Sequence, residues 1–321
     1  MKDGFGRTID YLRISLTDKC NLRCVYCMPR EGIAHVSREE ILTFEEIERI
    51  VRLMAELGVR KIRLTGGEPL VRRDVVNLVK SLRKISGIQE IAMTTNGTLL
   101  SGSAHALREA GLSRVNISLD TLREDSFQKI TGCGGVDRVL AGIDAALREG
   151  FPVKINCVPC APLNENDLES VALLAREKPV DVRFIEMMPL GCGSQFAPIL
   201  SDEILRRFEK RFGTPEYLPR EDHAPAVMVR FPGFRGKIGF ISPMSHAFCS
   251  ECNRVRLTSE GILKLCLCHA DGIDLKRLLR SGSDDATLKE NILCALEKKP
   301  EAHTFAARTQ TETRTMAQIG G

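Results

Sequence analysis

The sequence predicts an α/β protein: an incomplete, TIM-like (βα)6 barrel over residues 1–212, capped by a smaller α+β unit over 213–321. Three observations predict this. Strand-like and helix-like segments alternate from residue 10 to about 212, which implies parallel strands joined by right-handed crossovers. The strands carry polar residues at alternate positions, unlike the continuous apolar runs of a sheet buried on both faces. Past residue 213 the rhythm breaks into short extended pieces rich in Gly and Pro.

The elements follow in order. YLRISLT (11–17) reads as the first strand, and FEEIERIVRLMAELG (44–58) as an amphipathic helix with Thr43 at its N-cap and Gly58 at its stop. The alternation then runs through KIRLTGGEP (61–69), DVVNLVKSLRKI (74–85), IAMTTNG (91–97), HALREAG (105–111), RVNISLD (114–120) and VDRVLAGIDAALREG (136–150). VKINCV (153–158), NDLESVALLARE (166–177), VDVRFIEMMPL (180–190) and SDEILRRFEKRF (201–212) complete it. MVRFPG (228–233), GKIGFISP (236–243) and RVRLTSEGILKLCL (254–267) are the extended pieces of the second unit. Helices are expected over IDLKRLLRSG (273–282) and DATLKENILCALEKK (285–299). The ending TFAARTQTETRTMAQIGG (304–321) lacks periodicity and is expected to be extended or mobile.

The polar positions share one face of each strand: Arg13, Ser15 and Thr17; Lys61, Arg63 and Thr65; Asn116, Ser118 and Asp120; Lys154 and Asn156. Helices on one side and a polar concave side on the other explain the pattern, so the barrel interior should be a binding cavity.

Composition narrows the class. With 43% hydrophobic and 27% charged residues, the chain is an ordinary globular protein. MKDGFGRTID has no apolar core of a secretory signal, and no run approaches a membrane span, so the expected compartment is the cytoplasm. Thiols stay reduced there, and twelve cysteines are more readily metal ligands than a disulfide framework. A net charge of +4 with no Trp and three Tyr argues against a nucleic-acid surface.

Cys20, Cys24 and Cys27 form C-x-x-x-C-x-x-C directly after the first strand, at the mouth where βα barrels bind substrates. Three thiolates can hold an iron–sulfur cubane and leave one iron uncapped, and an open position marks a reactive metal site. Zinc with a fourth ligand from elsewhere, or inert thiols, are the alternatives. Cys249, Cys252 and Cys266 form a second set of three. Here spacing alone leaves zinc and iron open, because Cys268 or His269 could complete a zinc ribbon. Cys133, Cys157, Cys160, Cys192 and Cys294 show no matched spacing and read as packing thiols.

Arg13, Lys61, Arg63, Lys154 and Arg183 lie in separate strand segments or alternate within one. Pointed into one cavity they would repel each other unless a polyanion sits between them. No G-x-x-x-x-G-K-[ST] is present, so a nucleoside triphosphate would be gripped by side chains as a substrate.

CNLRCVYC (20–27) resembles the cluster motif of radical S-adenosylmethionine enzymes, and GGEPL (66–70) the same family's Gly-Gly-Glu-Pro element. DYLRISLTDKCNLRCVYCMP, KIRLTGGEPLVRRD, TTNG and the ending MAQIGG are similar to the branch that acts on GTP at the outset of molybdenum cofactor biosynthesis. The resemblance implies a 4Fe-4S cluster on Cys20, Cys24 and Cys27, with S-adenosylmethionine contacted by Tyr26, Gly67, Ser118 and Met188. It implies a second 4Fe-4S cluster on Cys249, Cys252 and Cys266, facing the guanine. GTP contacts would come from Arg13, Arg63, Thr94, Lys154, Arg254 and Arg256, and the Gly320-Gly321 ending would reach the active site beside Arg254 and Arg256. The implied product is 3′,8-cyclo-7,8-dihydro-GTP. The implied partners are an electron donor protein and a downstream cyclic pyranopterin monophosphate synthase, with room for a homodimer. A radical enzyme acting on a peptide, a zinc-stabilised nucleic-acid module and an iron–sulfur electron carrier are the rival readings.

Overall fold

The computed structural model describes residues 1–220, 223–305, 307 and 312–320. Strands β1 (Tyr11–Ser15), β2 (Lys61–Thr65), β3 (Glu90–Thr95), β4 (Arg114–Ser118) and β5 (Val153–Cys157) lie side by side and parallel. The two-residue β6 (Cys160–Ala161) leaves this series, and β7 (Asp181–Ile185) takes the place beside β5. Helices α1 (Phe44–Glu56), α2 (Val75–Arg83), α3 (Ala104–Glu109), α4 (Glu124–Thr131), α5 (Val136–Arg148), α6 (Leu168–Glu177) and α7 (Ser201–Phe212) follow the strands. Among the described residues β8 (Ala197–Pro198) pairs only with β6.

The expected helix after the first strand illustrates why these segments fold as they do. Thr43 caps α1 by accepting from the Glu46 amide, while the Glu46 carboxylate accepts from the Thr43 amide, so two orphan donors are satisfied reciprocally. Gly58 ends it at φ +109. Ile47, Ile50, Val51, Leu53, Met54 and Ala55 form its buried face. Each large side chain among them contributes roughly 1.5–3 kcal/mol by leaving water. α4, before α5, has no counterpart among the expected helices.

The carboxy-terminal region contributes β9 (Glu216–Tyr217), β10 (Ala226–Arg230), β11 (Ile238–Ile241), β12 (Arg254–Leu257), β13 (Ile262–Lys264) and β14 (Gly272–Asp274). Its helices are α8 (Leu275–Arg280), α9 (Asp285–Glu297) and the short α10 (Met316–Ile319). These strands do not form a sheet of their own. β12 pairs parallel with β1, and β11 pairs parallel with β7, so the carboxy-terminal region flanks the first sheet on both sides. The resulting order is β14-β13-β12-β1-β2-β3-β4-β5-β7-β11-β10-β9, with antiparallel pairs only at the two ends. Residues of all eight parallel strands line one cavity of about 510 Å³, so the sheet curves around it.

Two expectations are corrected. The ending is not simply extended: Thr315 and Gln318 form a capping box that starts α10, and Glu312 is buried. Among the expected packing thiols, Cys157 and Cys160 are buried and Cys133 packs half-buried against the core, but Cys192 is only half-buried and Cys294 is exposed on α9. No helix among the described residues is long and apolar enough to cross a membrane.

Candidate active site

Strand register sets the site's chemistry. Arg256 of β12 lies opposite Arg13 of β1, which lies opposite Arg63 of β2. Arg63 is opposite Ala92, and Ala92 opposite Arg114. Thr94, Asn116 and Lys154 form a second row, and Ser118, Asn156 and Arg183 a third. Because side chains on one face repeat every second residue, these rows bring residues from seven strands to one interior surface. Arg13, Lys61, Arg63, Thr94, Lys154, Arg183, Arg254 and Arg256 all line the cavity.

The cations there sit under stress. Burial, then Arg256 and Arg63, hold the Arg13 guanidinium well below its ordinary range. Burial lowers Arg63, brings Arg183 down to about 9 with help from Arg63 and Arg114, and brings Arg256 down to about 10 with help from Arg254. Burial alone would raise the Tyr11 phenol, but Arg63, Arg13, Arg114 and Arg254 outweigh it and lower it. An anion of several charges is the natural counterpart of such a surface.

Both cysteine sets open onto the same cavity. Cys20, Cys24 and Cys27 approach from the loop after β1, and Cys249, Cys252 and Cys266 from the carboxy-terminal region. All six are free thiols. Burial pushes Cys20 and Cys24 up and Cys27 up to about 12, so a metal taking them as thiolates must displace protons. At Cys252 burial also raises the thiol, but Lys299, the Arg254 amide, Arg254 and Arg7 bring it below its usual value.

Among the described residues no compact zinc ligand set forms around the second triplet. Cys268 Sγ accepts from the Thr304 amide at 3.4 Å and lies 3.5 Å from its hydroxyl. Among the described residues no three His, Cys, Asp or Glu side chains converge closely enough to hold a single ion. A cubane of four irons spaces its thiolates more widely than one ion does, and two sets of three thiols with an open side fit that group.

The loops around the first set are tightly built. The Gly67 amide donates to the Thr17 carbonyl at 2.7 Å, and the Glu68 amide to the Lys19 carbonyl at 2.8 Å. A Cβ on Gly67 would stand 2.7 Å from the Asp18 carbonyl oxygen, so glycine lets the turn after β2 lie directly on the backbone leading to Cys20. Glu68 is fully buried and accepts from the Leu70 and Asn96 amides and from the Thr95 hydroxyl, tying GGEP to TTNG. Burial raises its carboxyl to about 7 despite these donors.

Tyr26, Ser118 and Met188 line the cavity; Gly67 is set behind the Cys20 loop and is not among the lining residues. The Tyr26 hydroxyl donates to Asp120 at 2.5 Å, and Asp120 also accepts from the Val158 amide. Burial raises the Asp120 carboxyl to about 6. Arg256 Nη1 donates to the Gly320 carbonyl at 3.0 Å, which brings the ending to the cavity wall. Gly321 lies outside the described residues.

Sequence reasoning missed several lining residues. Arg114 occupies the position two before Asn116 on the same strand face, so the period-two pattern could have found it. Asp120 and Asn156 stood in that pattern without a role. Lys299 and His303 also line the cavity, and no periodic signal points to them.

Two family models cover most of the chain: the Radical SAM superfamily over residues 14–175 and Molybdenum Cofactor Synthesis C over 180–305. A Clostridium perfringens (strain 13 / Type A) protein named GTP 3′,8-cyclase is 47% identical over 324 residues, covering 100% of both chains. The chain belongs to the GTP 3′,8-cyclase family. A Moorella thermoacetica member of that family is 45% identical, again over 100% of each chain. Among solved structures, Streptococcus suis SuiB bound to S-adenosylmethionine superposes with a TM-score of 0.64 at 16% identity, over 97% of this chain and 77% of SuiB. At that identity the likeness speaks for the fold. The GTP 3′,8-cyclase family thus accounts for both the barrel-like half and the cysteine-bearing carboxy-terminal half.

Proposed function

We propose that this chain converts GTP to 3′,8-cyclo-7,8-dihydro-GTP, the first step of molybdenum cofactor biosynthesis. The observation that carries the reading is one cavity holding two open-sided cysteine triplets and a surface of guanidiniums. Family membership specifies the reaction.

Cys20, Cys24 and Cys27 would hold one 4Fe-4S cluster, and Cys249, Cys252 and Cys266 the other. Tyr26, Ser118 and Met188 would hold S-adenosylmethionine, with Gly67 shaping the loop behind Cys20 that the ligand meets. Together, the reduced first cluster and S-adenosylmethionine supply a carbon radical able to take hydrogen from a ribose carbon.

The chain's own residues bind and orient. Arg13, Arg63 and Arg256, adjacent in register, and Lys154 with Thr94 grip the triphosphate through charge-assisted bonds strengthened by the dry surroundings. Arg254 and Arg256 turn to one side of β12 and carry positive charge beside the second triplet. Asp120 orients the Tyr26 ring by accepting from its hydroxyl. Gly320 lies against Ser15 and Thr65 and accepts from Arg256, so the ending would close the cavity on that side. Enclosure of the reacting groups keeps water and oxygen away.

This reading calls for a one-electron donor protein and a cyclic pyranopterin monophosphate synthase that consumes the product. It places the enzyme in the cytoplasm, where thiols stay reduced, and leaves room for a homodimer. The test is anaerobic incubation of the iron-reconstituted protein with dithionite, S-adenosylmethionine and GTP, followed by mass analysis. The expected result is 5′-deoxyadenosine together with a product of the same mass as GTP and altered absorbance. Release of 5′-deoxyadenosine with GTP unchanged would redirect the assignment to a different substrate.

A further inference from the structure

Beneath the cation surface lies a residue with no part in the reading above. Asn116 is fully buried in β4, between Thr94 and Lys154 in register, and does not line the cavity. With its carboxamide oxygen turned toward the guanidiniums, it accepts from both Nη atoms of Arg63, at 3.2 Å from Nη2, and from Arg183 Nη2 at 3.1 Å. The same Arg183 nitrogen donates to Asn156 Oδ1 at 2.6 Å. The nearby acids are engaged elsewhere: Glu90 pairs with Arg114 at 2.6 Å and Asp181 lies 4.0 Å from Lys154. Among the described residues no carboxylate stands within ion-pair distance of Arg63 or Arg183.

A buried guanidinium usually has a carboxylate for a partner, since pairing offsets its loss of water. Here two guanidiniums share a neutral oxygen instead. An apolar residue at this position would leave their N–H groups unpaired, and a carboxylate would cancel one unit of charge. The amide does neither. It fixes the planes of Arg63 and Arg183 and leaves their charge available to the cavity.

We propose that Asn116 is a positioning residue that sets how strongly this site distinguishes a triphosphate from a monophosphate. The proposal rests on the reading that the cavity takes GTP. It assigns to Asn116 a contribution that grows with each phosphate on the nucleotide, because each adds charge for Arg63 and Arg183 to meet.

The test measures dissociation constants of GTP, GDP and GMP with reconstituted, anaerobic wild-type protein and with Asn116→Asp and Asn116→Ala, all at matched iron content. Wild type binds GTP more tightly than GMP. Asn116→Asp removes one unit of net positive charge and lowers the GTP-over-GMP preference roughly tenfold by weakening GTP, with GMP altered by less than about threefold. Asn116→Ala lowers the preference by a few-fold in the same direction, as the two guanidiniums lose their shared acceptor. Equal weakening of GTP and GMP, which a merely structural role would give, or an unchanged preference, overturns the proposal. Should Asn116→Asp fail to fold, Asn116→Ala decides by the same ratio. Wild type that binds GMP as tightly as GTP would instead refute the triphosphate reading of the cavity, and the role of Asn116 with it.

Discussion

Lys264 and Glu312, far apart in sequence, form an ion pair sealed from solvent, with side chains 0% and 1% exposed. Lys264 also donates to the His269 carbonyl, and Arg314 donates to both oxygens of the Glu312 carboxylate, at 3.0 and 3.1 Å. The pair fastens the ending to β13, and α10 then delivers Gly320 to Arg256. Replacing Glu312 by Ala leaves a buried ammonium without its partner, which costs on the order of 3–5 kcal/mol. The expected outcome is a lower melting temperature, faster amide exchange at residues 316–319 and reduced GTP turnover. Unchanged exchange at 316–319 would show that the ending is held by other contacts.

The same pair makes the docking of the ending sensitive to acid. Burial works to raise the Glu312 carboxyl, but hydrogen bonds from Arg314 and Lys264 outweigh it and hold it down at about 2, against an ordinary 4.5. A carboxyl depressed on folding contributes stability that is present above its unfolded value and disappears as pH falls toward its folded one. Amide protection at 316–319 should therefore be flat above pH 4.5 and decline between 4.5 and about 2. In Glu312→Gln this decline should vanish; a persisting decline would assign it to another group.

Gly320 has φ +89, and a Cβ there would stand 2.7 Å from Ser15 Cβ and 2.9 Å from Thr65 Oγ1. Gly320→Ala should displace the ending from Arg256 and reduce GTP turnover at least roughly tenfold, the equivalent of one lost charge-assisted bond. The melting temperature should move little, because the core does not depend on this residue. Wild-type turnover in the variant would separate the ending from catalysis.

Each cysteine triplet should account for half of the iron. Cys252→Ala should halve iron and acid-labile sulfide while 5′-deoxyadenosine release persists without GTP conversion. Cys24→Ala should also halve them and abolish that release. Metal analysis of the purified, oxygen-protected protein checks both; stoichiometric zinc without sulfide would refute the cluster assignment.

Gly67→Ala tests the contact beneath Cys20. Its methyl would meet the Asp18 carbonyl oxygen at 2.7 Å, so the loop must shift. Iron at the first triplet and affinity for S-adenosylmethionine should both fall, with the second triplet's iron retained. Full retention of both would mean the loop yields freely.

Local patterns in the sequence were sufficient for much of this architecture. Thr43 and Glu46 announce α1, and the alternation of Arg13, Arg63, Asn116 and Lys154 announces a polar interior. The cysteine triplets announce their own chemistry. What local pattern cannot carry is pairing over long separations. Nothing within Arg254–Leu257 or Ile238–Ile241 indicates that these strands run parallel to β1 and β7, because that depends on which sheet edges stand open. Lys299 reaches the second triplet by tertiary placement alone. α10 has four residues, too few to show a periodicity, and Glu312 looks like any surface acid until Lys264 is seen beneath it.

The placement of β12 beside β1 and β11 beside β7 has a consequence for biosynthesis of the protein itself. As the polypeptide leaves the ribosome, Tyr11–Ser15 has its β12-side backbone groups unmet until Arg254–Leu257 has been translated. Severing the gene between codons 175 and 180 would yield two fragments, each with raw ladder edges ready to join strangers. The two halves must therefore mature as one, and neither is expected to be soluble when expressed alone.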